Sequence, residues 1–175
     1  SFLEKIPFFG LAVLCLDHPN IQSLLPRLKK RFATYGLTTQ ADFQAKEIVF
    51  EGLSTSFDVV HHRKGIGRLS LRMPGVHNVY NALATLATAF ELDIPFRVVQ
   101  ETLREFSGIQ RRFQIKGEKK GVLVVDDYGH HPVEIMATLK AAKTGWGKRV
   151  IAVFQPHRYT RTQTLFKDFL TAFYD

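Results

Sequence analysis

Two polar runs in this chain carry side chains able to do chemistry. The first, Asp126-Asp127-Tyr128-Gly129-His130-His131, follows the apolar run Val122 to Val125 and precedes Pro132, which opens a helical pattern through Ile135, Met136, Leu139 and Ala142. The second, Gln155-Pro156-His157-Arg158-Tyr159-Thr160-Arg161-Thr162, follows the apolar run Arg149 to Phe154 and precedes an amphipathic pattern through Leu165, Phe166, Phe169, Leu170 and Phe173. Carboxylates accept from hydroxyls, imidazoles donate or accept as their tautomer allows, and guanidinium forks hold carboxylates and phosphates. A strand-loop-helix pattern repeated in tandem predicts parallel strands joined by a right-handed crossover. Ligands in open sheets of that kind lie outside the carboxyl ends of the strands, so both polar loops are expected to face one crevice.

A second group of candidates lies earlier. Pro74-Gly75 breaks a strand, and Val76-His77-Asn78-Val79-Tyr80-Asn81 opens a long Ala-rich helix carrying Leu83, Leu86, Ala87 and Phe90. Asn78 and Asn81 are three apart, which puts both amides on one face of the first turn. Asn78 is readable as an N-cap, or as an amide whose donor and acceptor pair with the N6 and N7 edge of adenine. Arg111 and Arg112 fall in a hinge, Ile109 to Phe113, where an arginine is either a surface charge or a fork for a phosphate. Asp127 is readable as a cap for the helix that follows, and His131, just before Pro132, is biased to an extended backbone. His61 and His62 are adjacent in a strand pattern, face opposite ways on that reading, and make a poor chelate; an exposed, uncommitted role is expected. Cys15 is alone in Leu11-Ala12-Val13-Leu14-Cys15-Leu16 and reads as a buried structural thiol.

The elements that must position these groups are α/β in pattern. Leu11 to Leu16 predicts a strand, Asp17-His18-Pro19-Asn20 a capped turn, and Ile21, Leu24, Leu25 and Leu28 one face of a helix. From about Phe32 to Met73 the period is two, predicting short antiparallel strands with a hairpin turn at Lys64-Gly65-Ile66-Gly67. Pro95 opens a helix with Val98, Val99, Leu103 and Phe106, closed by Ser107-Gly108. A polar turn is expected at Lys116 to Lys120. There is no phosphate loop: Lys143-Thr144-Gly145-Trp146-Gly147-Lys148 lacks the earlier glycine and the hydroxyl after the lysine, and it leads from a helix to a strand.

The 175 residues, with 45% hydrophobic and 23% charged side chains, describe a chain that folds around a sizeable core. No apolar run reaches the roughly 18 to 20 residues that span a bilayer, and no signal peptide opens the chain, so no membrane partner and a cytoplasmic location are expected. The net charge of +8 suits anionic ligands, yet the basic residues are dispersed, with only Arg27 to Arg31 dense, and no nucleic-acid partner is expected.

Taken together, Gly75-Val76-His77-Asn78-Val79-Tyr80-Asn81-Ala82-Leu83-Ala84, Gly108 with Arg111-Arg112-Phe113, Asp126 to Glu134 and Phe154 to Thr162 resemble the Mur ligases of peptidoglycan synthesis, and the opening Phe2 to Gly10 resembles a strand entry of the same family. The resemblance implies an α/β fold: the end of a central ATPase domain with short antiparallel strands and helices over residues 1–113, then the start of a Rossmann-like parallel-sheet domain over 114–175. It places the family's phosphate loop and its magnesium ligands upstream, so no metal ligands are assigned here and residues 1–175 by themselves are expected to lack activity. It assigns His77, Asn78 and Asn81 to the adenine of ATP, Arg112 to the phosphates and Asp127 to the ribose. Tyr128, His130, Arg158 and Arg161 fall where the family meets its amino acid and reacting carboxyl group, and with Arg112 they are the implied catalytic set.

Within the family the likeness is greatest to the members that join L-alanine to UDP-N-acetylmuramate with ATP and Mg2+ through an acyl phosphate. The rivals are a recycling ligase that attaches a tripeptide to the same sugar nucleotide, a metal-dependent hydrolase using Asp126, Asp127, His130, His131 and His157, and a basic nucleic-acid-binding module.

Overall fold

The computed structural model describes residues 3–174; Ser1, Phe2 and Asp175, and with Phe2 the start of the opening motif, lie outside the described residues. The fold is mixed α/β, as expected, and divides into two compact units. One comprises residues 1–49, 55–71 and 77–106, the other residues 50–54, 72–76 and 107–175.

The first unit is built on a five-stranded sheet in the order β1-β2-β3-β4-β5. Its strands are β1 (Ala12–Cys15), β2 (Phe32–Gly36), β3 (Phe43–Glu51), β4 (Ser54–His61) and β5 (Lys64–Leu71). Helices α2 (Val76–Glu91) and α3 (Phe96–Glu105) follow. The period-two pattern delivers Phe57, Val59, Leu69 and Leu71 to one face, and the 3.6 period of α2 delivers Val79, Leu83 and Leu86; all seven are essentially inaccessible and form one core. Burying each such side chain contributes roughly 1.5 to 3 kcal/mol, which is why this sheet and helix hold together.

The pairing departs from the expected antiparallel pattern at its start. Strand β2 runs parallel to both β1 and β3. The connection from β1 passes through α1 (Pro19–Leu24) and a short 3-10 turn, Leu25–Arg27, and so returns the chain to the same edge in the same direction. Helix α1 stops early because Pro26, without an N–H, takes the next residues into that 3-10 turn. The β4–β5 turn is not at Lys64 to Gly67. It is made by His62 and Arg63, both at positive φ (44° and 68°), while Gly65 and Gly67 lie inside β5. There Val59 faces Gly67 and Val60 faces Gly65, leaving Ile66 as the extra residue of a bulge. Gly67 is needed at φ 143°, since a Cβ there would come within 2.6 Å of the Phe96 ring.

The second unit contains the hairpin β6 (Gln114–Lys119) and β7 (Val122–Asp126), paired antiparallel, then α4 (Pro132–Trp146), α5 (Tyr159–Thr164) and α6 (Phe166–Thr171). The polar stretch expected as a turn is thus mostly strand, and Lys120-Gly121, both at positive φ, make the turn. Strand β7 is not fully buried: Val122 and Val124 are exposed and Leu123 and Val125 half-buried, as suits a two-stranded ribbon. The apolar run Arg149 to Phe154 takes no strand pairing among the described residues. Ile151 and Val153 are exposed, and without a neighbouring ladder to satisfy its backbone an apolar run does not become a strand. Gly147, at φ 56°, ends α4. Ile135 of α4 meets Phe169 and Ala172 around α6 in a small core, with Phe154 packed on it.

Candidate functional site

In the first unit the candidate residues cluster on the opening turn of α2, which Gly75 enters at φ 94°. Asn78 is the third residue of the helix, not its N-cap, and is only 9% exposed. Its Nδ2 lies 3.2 Å from His77 Nε2, and its Oδ1 accepts from Asn81 Nδ2 at 3.4 Å. His77, Asn78 and Asn81 therefore form one polar chain, with Asn81 the exposed member. That is an arrangement of donors and acceptors able to read the edge of a heterocyclic base.

What fixes this turn against the sheet is a residue that the sequence reading left as a turn former. Asp17 follows β1, and its Oδ2 accepts from Tyr80 Oη at 2.9 Å and from Leu37 N at 2.6 Å, while Oδ1 accepts from Thr38 N at 3.2 Å. The carboxylate joins the end of β1 to the chain leaving β2 and to α2 between Asn78 and Asn81. Gly36 is close-packed against it, for a Cβ at 36 would fall 2.7 Å from Oδ1. Burial first, and then the neighbouring Asp17 carboxylate, push the Tyr80 phenol well above its ordinary range, so it remains a donor. An acid at the carboxyl end of an apolar strand was the available signal in the sequence. Cys15 beside it is free and half-buried, its thiol pushed up chiefly by burial, in keeping with a structural role.

The histidine pair behaves differently from the expectation. Because His62 sits in the turn at positive φ, its ring is 4.2 Å from that of His61. His61 is not uncommitted: it stacks on Phe43 at 4.2 Å and meets Phe90 edge-on. These rings border a cavity of about 430 Å3 with Arg31, Asp42 and Glu91. Its charges are matched internally, Arg31 with Glu91 at 2.9 Å and His62 with Asp42 at 3.5 Å. Among the described residues no group of three or more His, Cys, Asp or Glu side chains is placed to hold a metal ion.

In the second unit the hinge and the first polar loop form a hydrogen-bonded assembly. Asp127 Oδ2 accepts from Phe113 N at 2.8 Å and Oδ1 from Gly129 N at 2.6 Å. It is not the helix cap; it ties the hinge to the loop, and each oxygen retains a lone pair for a further donor. Tyr128 N donates to Arg111 O at 2.7 Å, and the Arg111 guanidinium lies 4.9 Å from the Tyr128 ring centre. Asp126 faces Arg111 and Lys116 at 3.8 and 3.7 Å, a supporting position. His131 caps α4 through Nδ1 at φ −116°, the extended backbone that Pro132 demands. Glu134, three residues on, receives His130 N at 3.0 Å and His131 N at 3.2 Å on Oε2, and Arg112 Nη1 at 3.4 Å on Oε1. The sequence reading named no role for it. The spacing of a capping box was present, but with histidine where serine or threonine is usual.

The second polar loop is held by bonds within itself. Arg158 adopts φ 70° ahead of α5, and its carbonyl accepts from Thr162 Oγ1 at 3.2 Å. Arg161 Nη1 turns back to the His157 carbonyl at 3.4 Å. A cavity of about 740 Å3 is bounded by Pro156, His157, Arg158, Tyr159, Thr162 and Phe166. Tyr128, His130 and Arg161 are not among its walls.

Comparison with known proteins follows the same division. The profile of the Mur ligase middle domain matches residues 1–89, and that of the Mur ligase glutamate ligase domain matches residues 111–175. UDP-N-acetylmuramate–L-alanine ligase of Geotalea daltonii is 61% identical over 100% of this chain, which covers 38% of that protein. Among solved structures, the UDP-N-acetylmuramate-alanine ligase of Thermotoga maritima superposes with a TM-score of 0.71 at 30% identity, over 88% of this chain and 35% of that one. A murein peptide ligase of Psychrobacter arcticus gives 0.66 at 26% identity, over 89% of this chain and 33% of that one. The chain thus spans 33 to 38% of the length of these three proteins.

Proposed function

This chain belongs to the Mur ligase family, and on that premise we propose that the protein carrying it joins L-alanine to the lactyl carboxylate of UDP-N-acetylmuramate with cleavage of ATP. The observation that supports this substrate choice is the 61% identity, maintained along the whole chain, to a protein named for that reaction. The murein peptide ligase stands at 26%.

A carboxylate is a poor electrophile because oxide is a poor leaving group. Transfer of the γ-phosphoryl group to one carboxylate oxygen gives an acyl phosphate and ADP. The amine of L-alanine then adds to the acyl carbon, the tetrahedral adduct expels inorganic phosphate, and the nitrogen loses a proton to give the amide. Such a reaction needs placement and charge neutralisation more than a protein nucleophile.

We assign His77, Asn78 and Asn81 to the adenine, Asp127 to the ribose hydroxyls through its remaining lone pairs, and Arg112 to the phosphates. Tyr128, His130, Arg158 and Arg161 are assigned to the amino acid and the developing acyl phosphate, which two guanidinium groups suit. For the magnesium ion that the family resemblance implies, the described residues offer no group of three or more His, Cys, Asp or Glu side chains. The domain boundary is placed between Phe113 and Gln114, and the use of ATP places the reaction in the cytoplasm.

The test is phosphate release by the whole protein with UDP-N-acetylmuramate and ATP, L-alanine being compared with the tripeptide. Turnover with L-alanine is expected. Turnover with the tripeptide alone would move the assignment to the recycling ligase.

A further inference from the structure

Glu134 makes more contacts than a helix cap requires. A capping box needs the side chain at the third helical position to accept the backbone N–H of the cap residue, and Glu134 Oε2 does this for His131 at 3.2 Å. The same oxygen also accepts from His130 N at 3.0 Å and lies 3.6 Å from His130 Nδ1. The other oxygen, Oε1, receives Arg112 Nη1 at 3.4 Å, from a residue 22 positions earlier in the hinge. His130 is further fixed by a 2.9 Å contact between its Nδ1 and the Tyr128 carbonyl. One carboxylate thus holds the guanidinium on one side and the backbone of the imidazole-bearing loop on the other.

We propose that Glu134 is a positioning residue that couples the phosphate-binding Arg112 to the amino-acid-binding loop Tyr128 to His131, so that the placement of one fixes the other. This rests on the assignment of Arg112 and of that loop made above. Geometry supplies the argument: the hinge and the loop leave paired ends of the β6–β7 hairpin and are already joined through Tyr128 N to Arg111 O and Phe113 N to Asp127, and Glu134 adds the link that reaches the Arg112 guanidinium, with Pro132 and the start of α4 keeping that side chain in place. The charge agrees with the role. Although partial burial opposes ionisation, the His130 N–H and the nearby His130 and Arg112 side chains hold the Glu134 carboxyl below its ordinary range, so it is an anion at neutral pH.

Glu134→Gln separates coupling from capping, since glutamine serves in a capping box as well as glutamate does but carries no charge for Arg112. In the whole ligase, Glu134→Gln is expected to raise KM for ATP and for L-alanine by about tenfold each while leaving Tm nearly unchanged. A residue that only caps α4 predicts unaltered KM values for Glu134→Gln, and that result overturns the proposal. Should Glu134→Gln fail to fold, Arg112→Gln gives the reciprocal reading, because Glu134 is then untouched. Coupling predicts that Arg112→Gln raises KM for L-alanine as well as for ATP; an effect of Arg112→Gln on ATP alone overturns it. Failure of the underlying assignment is visible separately, as a wild-type enzyme that does not turn over L-alanine at all.

Discussion

Replacing Asp17 tests whether one carboxylate holds the opening turn of α2 against the sheet. It accepts Tyr80 Oη at 2.9 Å and the backbone N–H groups of Leu37 and Thr38 at 2.6 and 3.2 Å. A hydrogen bond to a charged acceptor contributes ~1.5 to 3 kcal/mol when well desolvated, and a half-buried carboxylate falls near the lower end. Because water reaches part of the site in the variant, Asp17→Ala is expected to cost about 3 to 4 kcal/mol, a large share of the roughly 5 to 15 kcal/mol that holds a domain folded. Tyr80→Phe removes one donor and leaves the other two, so about 1 to 1.5 kcal/mol is expected. Urea unfolding of the two variants and of the double variant gives the coupling, expected at about 1 kcal/mol because both changes break the same bond. Amide hydrogen exchange supplies a local readout: Asp17→Ala should remove protection at Leu37 and Thr38, with about tenfold faster exchange for each 1.4 kcal/mol lost. Additive single-variant effects, or unchanged protection at Leu37, would refute the reasoning.

Asn81 is exposed, so Asn81→Ala is expected to leave stability within about 0.5 kcal/mol. It should lower the preference for ATP over GTP about tenfold, measured as the ratio of kcat/KM values in the whole ligase. His61 is held below its ordinary pKa of 6.5, first by burial against its aromatic neighbours and then by the adjacent His62. The unfolded chain therefore binds a proton before the folded one does, and the contribution of neutral His61 to stability is fully present above pH 6.5 and is lost as pH falls through the lowered folded value. Unfolding midpoints of His61→Asn should lack that decline. Gly67→Ala places a Cβ 2.6 Å from Phe96 Cε1 at φ 143°, and a loss of about 1 to 3 kcal/mol in urea unfolding is expected.

Local periodicity was enough to find α2, since a helix that buries Val79, Leu83 and Leu86 on one face must repeat them at 3.6 residues whatever it packs against. It was not enough for the pairing of β2, because alternation at period two says which face a strand buries and nothing about the direction of its neighbour. The β4–β5 turn was misplaced for a definite reason. Glycine is the usual residue at positive φ, yet His62 and Arg63 take those angles, while Gly67 serves a bulge and the close approach of Phe96. The run Arg149 to Phe154 shows the opposite limit, a sequence with strand composition whose state depends on a ladder that composition cannot supply.

At the candidate site the legible residues were those whose side chains have spare chemistry: amides, imidazoles and guanidinium groups at the ends of regular elements. Asp17 and Glu134 escaped because their work is directed inward, toward backbone N–H groups and toward Tyr80 and Arg112. A sequence states which residues are acids; only the fold states that donors to them come from segments 20, 22 or 63 positions away. Two carboxylates of this kind, one in each unit, make the same physical point. Groups that touch substrate need orientation within about 0.5 Å, and for the groups proposed to do so the neighbours that orient them are acids whose own positions are fixed by strand ends and helix caps. Loss of the Glu134 charge should therefore appear as a change in substrate affinity at the residues it braces, whereas loss of Asp17 should lower the stability of the first unit as well.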